Sequence, residues 1–548
     1  MRHLLLAALT LLLCVQASVA QTSKVEYSEP FDEPEDGWRK VLQLSNGNTF
    51  FFNYTGKDGI DVSVYDKTRK LVGQKNIVGD HWEPKEIKVT KIAGLYEIGG
   101  APVIFIQQVI KRTPKLYRLV FNPNTGAIVS EEEISSLQKF HAGMAFALVY
   151  GGVEEPAFHV EKSPVSDNYA VINFNSISPE SDERIEVLYY GVENGKHKVL
   201  TKAYYDAQGF KYVNYIASYV NDKSVFICAY GFNTRNSGGK DSKILISRLD
   251  QSSGAFTYKK IEFSDDFMDT KGMLAFNPGS GMLQLFTLTY LSKKSNMWSG
   301  KQTTTYIPLM IFIDPSSLFI VKADPFLGEY AAAHVKNKFN EKDGYSGMPQ
   351  HMVVNKDNTT TIVQEEMFKL QQQSGSKIIT LETQLGNIAL TELDMKGKET
   401  IGYAAKKTQK ASGDISAFNL SERVKGIWTY QVKSLRGNNT PFFSFDYVNT
   451  EKGKYLIFND YPENFHKKEG DKMQVVAAAS DMNTVYYELK NGFFEKHFLF
   501  AAPKGDTDLK FANIASAHFM DATRTYATLM VDRDGRKKQG RIAWVKFD

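Results

Sequence analysis

Residues 249–254 read Leu249-Asp250-Gln251-Ser252-Ser253-Gly254, an apolar strand-like run that ends in a polar turn closing on glycine. Residues 121–126 have the same form, Phe121-Asn122-Pro123-Asn124-Thr125-Gly126. An apolar or aromatic residue that closes a strand before a short turn recurs along the chain at Tyr65, Phe121, Tyr190, Leu249, Ile313, Leu393, Tyr487 and Phe547. Repeats on this scale are typical of solenoids, propellers and other arrays.

A second series of turn signals gives the same number of units. In the first unit, a strand-like run turns at Asn46-Gly47 into residues 49–52. Asn-Gly is the strongest short hairpin signal, because both central residues of a type I′ turn need positive φ. The corresponding signals in later units are Gly99-Gly100, Ser166-Asp167-Asn168, Asn221-Asp222, Pro278-Gly279, Lys356-Asp357-Asn358, Glu451-Lys452-Gly453 and Asp521-Ala522.

The second strand of each unit is almost continuously apolar, as in residues 103–106, 283–291 and 455–458. An antiparallel sheet with one solvated face should alternate apolar and polar residues instead. Continuous runs indicate burial on both faces, which propeller blades achieve by stacking around an axis. The sequence therefore predicts an all-β fold, a single β-propeller of eight four-stranded blades. A ring of seven blades, with one unit misread, is the alternative.

The two ends of the chain predict how the ring closes. The eighth unit has three strands, near residues 513–520, 526–531 and 541–547, and lacks a fourth. The N-terminal residues 22–30 contain an unassigned strand-like piece. We expect it to complete the last blade, with Val25 and Tyr27 beside Trp544, because such pairing removes an exposed edge. Insertions at residues 327–339 and 135–148 are predicted to be short helices.

The first twenty residues have the pattern of a secretory signal peptide. Arg2 and His3 precede an apolar run, residues 4–15, that is too short to span a bilayer, and Ser18-Val19-Ala20 provides a cleavage pattern. We expect a mature propeller domain over residues 21–548, exported to the periplasm or secreted. The alternative is a lipoprotein signal at Cys14, although Leu13 stands where a small residue is needed.

Charge and cysteine content exclude several classes of protein. A net charge of +4 arises from 66 basic and 62 acidic residues that are interspersed along the chain. A nucleic-acid-binding protein would gather its basic residues on one face, so no nucleic-acid partner is expected. Beyond Cys14 only Cys228 remains, in an apolar run where it is expected to be a buried small hydrophobe. No transmembrane segment is expected, and the predicted state is a monomer.

No motif of a known chemistry is present at useful strength. The chain has no His-Glu-x-x-His, P-loop, Gly-x-Ser-x-Gly or Cys-x-x-Cys sequence. No two of the ten histidines have a spacing that would place both on one metal. No catalytic residue, metal or cofactor is therefore assigned. The Asp532-Arg533-Asp534-Gly535 sequence is interpreted as a hairpin turn, because three basic residues follow it and no glutamate closes a calcium loop.

Five residues are candidates for lining the central channel. His159, His351 and His518 lie in or beside first strands, which are nearest the axis in propellers, and Glu365 and Glu366 end a second strand. Imidazoles and carboxylates at a channel mouth could bind a ligand or transfer protons. The competing interpretation is that each is a hydrogen-bonded structural group.

The Phe121–Gly126 and Leu249–Gly254 segments resemble the turns of exported bacterial β-propellers, including the eight-bladed quinoprotein-like group. The signal sequence together with Gly37-Trp38-Arg39-Lys40-Val41 is similar to exported propellers of Bacteroidota-type bacteria, a group without a named function. The docking tryptophan of quinoproteins is replaced here by Ala127-Ile128-Val129 and Ala255-Phe256-Thr257, and their adjacent cysteine pair is missing. No functional residue is carried over by this resemblance.

Two hypotheses for the function remain from the sequence. The first is an exported cell-envelope binding or scaffold protein that holds a protein or glycan partner on the propeller faces. The alternative is an extracellular carbohydrate-active hydrolase or lyase with a channel-mouth active site. An enzyme predicts that several of the five candidates converge in a polar pocket with perturbed pKa values. A scaffold predicts that they are dispersed or individually satisfied, with an exposed apolar patch elsewhere.

Overall fold

A computed structural model describes residues 24–34, 37–56, 59–139, 155–175, 183–233, 242–261, 267–291, 306–341, 345–374, 377–430, 439–503, 505, 508–535 and 537–547. These residues form eight antiparallel sheets, each with a core of four strands, that follow one another around a ring. The structure is thus an all-β propeller of eight blades, and the seven-bladed alternative is wrong.

Each of the first seven blades takes four consecutive strands from the chain, in sequence order from the axis outward. Blades 1 to 4 contain the strands Trp38–Gln43, Thr49–Tyr54, Ile60–Tyr65 and Leu71–Ile77; Thr90–Ile98, Ala101–Ile110, Thr113–Phe121 and Ile128–Ser136; Ala157–Lys162, Tyr169–Phe174, Ile185–Glu193 and Lys196–Tyr204; Tyr212–Val220, Ser224–Phe232, Lys243–Asp250 and Phe256–Ile261. Blades 5 to 7 contain the strands Phe267–Asn277, Met282–Leu291, Tyr306–Ile313 and Ile320–Pro325; Gly347–Val354, Thr360–Ser374, Lys377–Leu393 and Glu399–Ala405; Asp446–Asn449, Lys454–Asp460, Asn483–Lys490 and Phe493–Phe498.

Blade 8 closes the ring by combining both ends of the chain. Its inner strands Asp508–Ala512 and His518–Met520 pair with Thr525–Asp534, which pairs with Lys537–Lys546. The outer strand is Lys24–Tyr27, in the register Val25 to Val545 and Glu26 to Trp544. The predicted closure by the N-terminal strand is therefore confirmed. Residues 1–23, with the expected signal peptide, lie outside the described part of the chain.

The antiparallel order gives the ring two different faces. The hairpin face, as we call it, carries the short turns between first and second strands and most of those between third and fourth strands. The loop face carries the connections between second and third strands and those that lead to the next blade. All eight predicted first hairpins lie on the hairpin face, including Gly99-Gly100 at φ values of 61° and 73°.

The turn chemistry differs from the prediction in three places. The Asn46-Gly47 turn has positive φ only at Gly47, with the Leu44 carbonyl accepting from the Gly47 N–H at 2.9 Å, so it is a three-residue loop. In blades 3 and 7 the third strand continues past Tyr190 and Tyr487, which the sequence placed at turns. The turns there are Asn194-Gly195 and Asn491-Gly492, each with positive φ at both residues.

The core lies between the blades because their second and third strands are buried on both faces. Val103, Ile104, Phe105 and Ile106 are each fully buried, and they alternate between two core clusters on either side of blade 2. Cys228 is also fully buried, and burial raises the pKa of its thiol well above the usual range. The prediction that it is a core hydrophobe is confirmed.

Helices are short additions to the β scaffold. In the described residues, the α-helices are Glu329–Phe339, Asn419–Val424 and Pro462–Phe465, and the 3-10 turns are Pro84–Val89, Thr440–Phe442, Ala479–Asp481, Ile514–Ser516 and Asp521–Thr523. The first of these confirms the helix predicted over residues 327–339. The second predicted helix is wrong at its start, because Ser135 and Ser136 belong to a strand, and residues 140–148 lie outside the described residues. None of the helices in the described ranges has the length and hydropathy needed to cross a membrane.

Candidate functional site in the central channel

A segment of the chain itself crosses the centre of the ring. Residues 418–429, which we call the plug, leave blade 6 and end opposite it in blade 2. The Phe418 N–H donates to the Pro349 carbonyl of blade 6 at 2.8 Å, and Trp428–Thr429 pair with the first strand of blade 2. The helix Asn419–Val424 lies between these anchors. The axis of the propeller is therefore occupied by polypeptide.

Buried ion pairs fix the plug to the surrounding blades. Arg423 donates to the Phe445 carbonyl and to Asp446 Oδ1 of blade 7, the latter at 2.8 Å. Tyr526 of blade 8 donates its hydroxyl to Asp446 Oδ2 at 2.7 Å. The side chains of Arg423 and Asp446 are only 10% and 12% exposed. Breaking such a pair leaves an uncompensated charge in a poorly solvated site.

A second ion pair anchors the far end of the plug. Lys425 Nζ lies 2.5 Å from Glu161 Oε2 of blade 3, and the Lys425 carbonyl accepts from the Leu95 N–H of blade 2 at 2.9 Å. Burial raises the pKa of Glu161 from its usual value, while the Lys425 ammonium opposes that shift. The plug is thus held from several sides of the ring.

The three candidate histidines surround this plug but do not meet. His159 of blade 3 stacks on Tyr215 of blade 4, with ring centroids 3.6 Å apart and planes at 12°. His351 lies on the first strand of blade 6, and its Nδ1 has no hydrogen-bond partner. His518 of blade 8 accepts at Nδ1 from the Gln43 N–H of blade 1, at 3.3 Å. They occupy three separate blades.

Burial makes all three imidazoles poor proton acceptors. It lowers the pKa of His159 to about 3, of His351 to about 4 and of His518 to about 3. The positive charge of Lys425 adds to the shifts at His159 and His351. At neutral pH each ring is uncharged. A general base works best when its pKa is near the operating pH, so these histidines are poorly tuned for proton transfer.

The two candidate glutamates lie deeper in blade 6 and face opposite sides of their strand. Glu365 is fully buried, with Lys407 Nζ 2.8 Å from its Oε1 and Ser444 Oγ donating to its Oε2 at 2.8 Å. Glu366 accepts from the Asn387 N–H at 2.9 Å, and burial raises its pKa. Within the described ranges, no hydrogen bond or ion pair joins any two of the five candidates.

A small cleft opens beside the plug on the hairpin face. Its volume is about 180 Å³, and it lies between blades 8, 1 and 2. Its wall includes Lys40, Glu97, Val424, His518 and Met520. Val424, at the end of the plug helix, is 56% exposed although it is an apolar residue. The cleft therefore combines an apolar contact point with a polar rim.

Lys40 is a residue of the cleft wall whose pKa is strongly lowered. Burial lowers its pKa to about 7, and its ammonium donates to the Ala517 carbonyl at 2.5 Å. It lies in the strand Trp38–Gln43, all of whose residues are buried. Lys40 and the plug residues Arg423 and Lys425 were not predicted from the sequence. Nothing in the sequence distinguishes Lys40, because Arg39 and Gln43 are polar residues of the same strand, whereas the long interval between Leu393 and Tyr487 was the signal for the plug.

No family model matches the chain, and no curated protein matches it. Among solved structures, the polysaccharide lyase Uly1 is 9% identical with a TM-score of 0.39, over 86% of this chain and 91% of that chain. The WD40 domain of SCAP from fission yeast is 9% identical with a TM-score of 0.37, over 96% and 98%. A member of the DUF4221 family from Bacteroides vulgatus is 9% identical with a TM-score of 0.30, over 87% and 98%. At this identity no residue role or activity is carried over to this chain.

Proposed function

We propose that this protein is an exported cell-envelope scaffold that holds a protein partner on its hairpin face, without catalysing a reaction. The observation that carries the proposal is the plug. A channel-mouth active site needs acid and base groups that converge around open space. Here the axis is filled by residues 418–429, and the candidate imidazoles are half-buried on three different blades.

The cleft beside the plug favours a protein partner over a glycan or a small molecule. Sites for small molecules usually have volumes of about 300–1,000 Å³, which is more than this cleft offers. A cleft of this size accommodates a single side chain, which is how buried anchor residues engage at protein interfaces. Val424 and Met520 supply apolar contact, and Glu97 and Lys40 are polar residues of the same wall. We expect an apolar anchor residue of the partner to enter there.

Site-specific photo-crosslinking in the source cell tests this proposal. A photoreactive phenylalanine at position 424 is expected to give one prominent crosslinked protein. The same residue at Val129 is the matched control, because that valine is 64% exposed but lies on the outer strand of blade 2. Val424→Glu is expected to weaken retention of the crosslinked partner at least tenfold, since it puts a charge at the apolar contact point, while Val129→Glu leaves it unchanged.

Two results would contradict the proposal. One is equal crosslinking at both positions or none at 424, which would remove the hairpin face as the docking surface. The other is retention of a polysaccharide on a glycan array that Val424→Glu abolishes, which would make the partner a glycan. Export is part of the same proposal, and N-terminal sequencing of the processed protein is expected to begin at Gln21.

A further inference from the structure

The third and fourth strands of blade 7 present two carboxylates and an imidazole on one face of a hairpin. Glu488 pairs with Glu495 across the two strands, and Tyr486 pairs with His497. Directly opposed residues of an antiparallel pair share a face, as do residues two apart on one strand. The tight turn Asn491-Gly492, with φ values of 51° and 83°, fixes this register. All four side chains therefore lie on the same side.

One imidazole nitrogen of this group lacks a hydrogen-bond partner. His497 Nε2 is buried from solvent and has no hydrogen-bond partner. It lies 4.0 Å from Glu488 Oε2 and 3.9 Å from Glu495 Oε2, too far for a hydrogen bond to either. A buried polar atom without a partner costs free energy. Its position between two carboxylate oxygens is a favourable arrangement for a cation.

The ring of His497 is held in place from the side of the core. It stacks on Tyr486 with ring centroids 4.8 Å apart and planes at 21°. Tyr486 is only 5% exposed and contacts Phe547 of blade 8, with ring centroids 5.7 Å apart. The imidazole is thus presented by a fixed platform at the junction of blades 7 and 8. A ligand whose orientation is set before binding loses little entropy when a metal arrives.

We propose that Glu488, Glu495 and His497 form a site for a divalent transition metal of the Zn²⁺ type. One ligand atom from each of the three residues lies within 4.8 Å of the others. Zn²⁺ binds imidazole nitrogen and carboxylate oxygen at about 2.0–2.2 Å, which separates tetrahedral ligand atoms by about 3.4 Å. A small inward movement of the half-buried Glu488 and the exposed Glu495 carboxylates reaches that geometry. Three protein ligands leave a fourth position for water.

The imidazole of His497 determines which class of metal the site prefers. Ca²⁺ and Mg²⁺ prefer all-oxygen sites, whereas imidazole suits zinc and neighbouring transition metals. The competing cation is Lys490, whose Nζ lies 4.0 Å from Glu495 Oε2. Both side chains of that pair are about half exposed, at 56% and 51%, so the pair contributes little and a dication displaces it.

Isothermal titration of the tag-free protein with ZnCl₂ tests the site. We expect one saturable site that CaCl₂ does not occupy at equal concentration. His497→Gln and Glu488→Gln are each expected to weaken Zn²⁺ binding at least about 100-fold, since even second-shell changes at zinc sites cost about 10–100-fold. Both residues lie on the outer half of a blade, and circular dichroism confirms that the variants keep the native fold.

His81→Gln is the matched control. His81 Nδ1 also lies near a carboxylate, 3.5 Å from Glu131 Oε1. Among the described residues, no third ligand atom lies close enough to this pair to complete a metal site. His81→Gln should leave Zn²⁺ binding unchanged. The proposal is overturned if the unmodified protein shows no saturable site, if His497→Gln binds as well as the unmodified protein, or if Ca²⁺ binds more tightly than Zn²⁺.

Discussion

The two faces of this propeller are built according to different rules. On the hairpin face, neighbouring strands are joined by short turns whose residue types fit their geometry, such as Gly99-Gly100 and the aspartate-led turn at Asp250. There the Asp250 carboxylate accepts from the Ser252 N–H at 3.0 Å. On the loop face, the connections that lead to the next blade are longer and irregular, and they include the helix Glu329–Phe339 and the plug, although Lys111 and Arg112 form a tight turn within blade 2. The difference teaches that the turns of the hairpin face determine the repeating strand order of the ring, whereas the loop face carries the insertions.

The plug joins the two faces. It leaves blade 6 from the loop face, yet its helix end at Val424 forms part of the cleft on the hairpin face. A segment that starts on the loop face thereby supplies Val424, the most exposed apolar residue of that cleft. If the plug is an integral part of the core rather than an added loop, its anchors should be as important to stability as the blades are.

The largest expected effect comes from releasing an anchor of the plug. Asp446→Ala leaves the Arg423 guanidinium buried without its counter-charge, so we expect a loss of about 3–5 kcal/mol in the free energy of unfolding. Urea denaturation followed by circular dichroism measures it. The control is Lys356→Ala, which removes a solvent-exposed ion pair with Glu451 between turns of the hairpin face. That variant should leave the urea midpoint unchanged. Equal midpoints for the two variants would show that the plug is a dispensable loop.

The histidines beside the plug, His159, His351 and His518, make the stability of the protein depend on pH. Their folded pKa values of about 3 to 4 lie below the ordinary value of 6.5. Between these limits the unfolded chain binds more protons, so their contribution to stability is present above pH 6.5 and is lost as the pH falls toward 4. We expect about 1.3 kcal/mol of loss per histidine between pH 7 and pH 5.5. Urea denaturation at both pH values measures this.

The comparison protein for that measurement is the triple variant His159→Gln, His351→Gln, His518→Gln. It should lose about 4 kcal/mol less than the unmodified chain between pH 7 and pH 5.5. Asp460 opposes this trend, because burial raises its pKa to about 6, but it is present in both proteins and cancels in the difference. Parallel pH profiles for the two proteins would mean that the histidines are solvated and the plug does not cover them.

The smallest expected effect compares the same insertion on each face. A Gly-Ser pair placed between Gly99 and Gly100 disrupts a two-residue type I′ turn and its register, at a cost of about 1–2 kcal/mol. The same pair between Ala501 and Ala502, two exposed residues of a loop-face connection, should cost about 0.6 kcal/mol or less, because only loop-closure entropy changes. Urea denaturation of both insertion variants measures the difference. A larger cost at residue 501 would reverse our assignment of which face specifies the ring.

The fold could be predicted because its determinants are local in sequence. A turn such as Gly99-Gly100 needs positive φ wherever it occurs, so the turn signals gave the number of blades without any contact information. The plug could not be predicted, because Lys425 meets Glu161, far away in the sequence. Neither residue belongs to a motif that would suggest the other.

The candidate metal ligands show a more specific failure. The sequence placed a turn at Tyr487-Glu488, whereas the strand runs on to Lys490 and the turn is Asn491-Gly492. Placing the turn correctly would have opposed Glu488 to Glu495 and brought His497 to the same face. For the five channel candidates, the sequence found the right strands for the histidines. It could not reveal that the plug and neighbouring blades bury them.

Blade 8 has a consequence for how the molecule reaches its native state. Its outer strand, Lys24–Tyr27, is made long before its partner Lys537–Lys546. Until the second strand is made, Trp544 is missing and an unpaired strand edge stays exposed, which is a template for aggregation. The ring cannot close before that strand is synthesised, so a cell making this protein has reason to shield the growing chain until the two strands can meet.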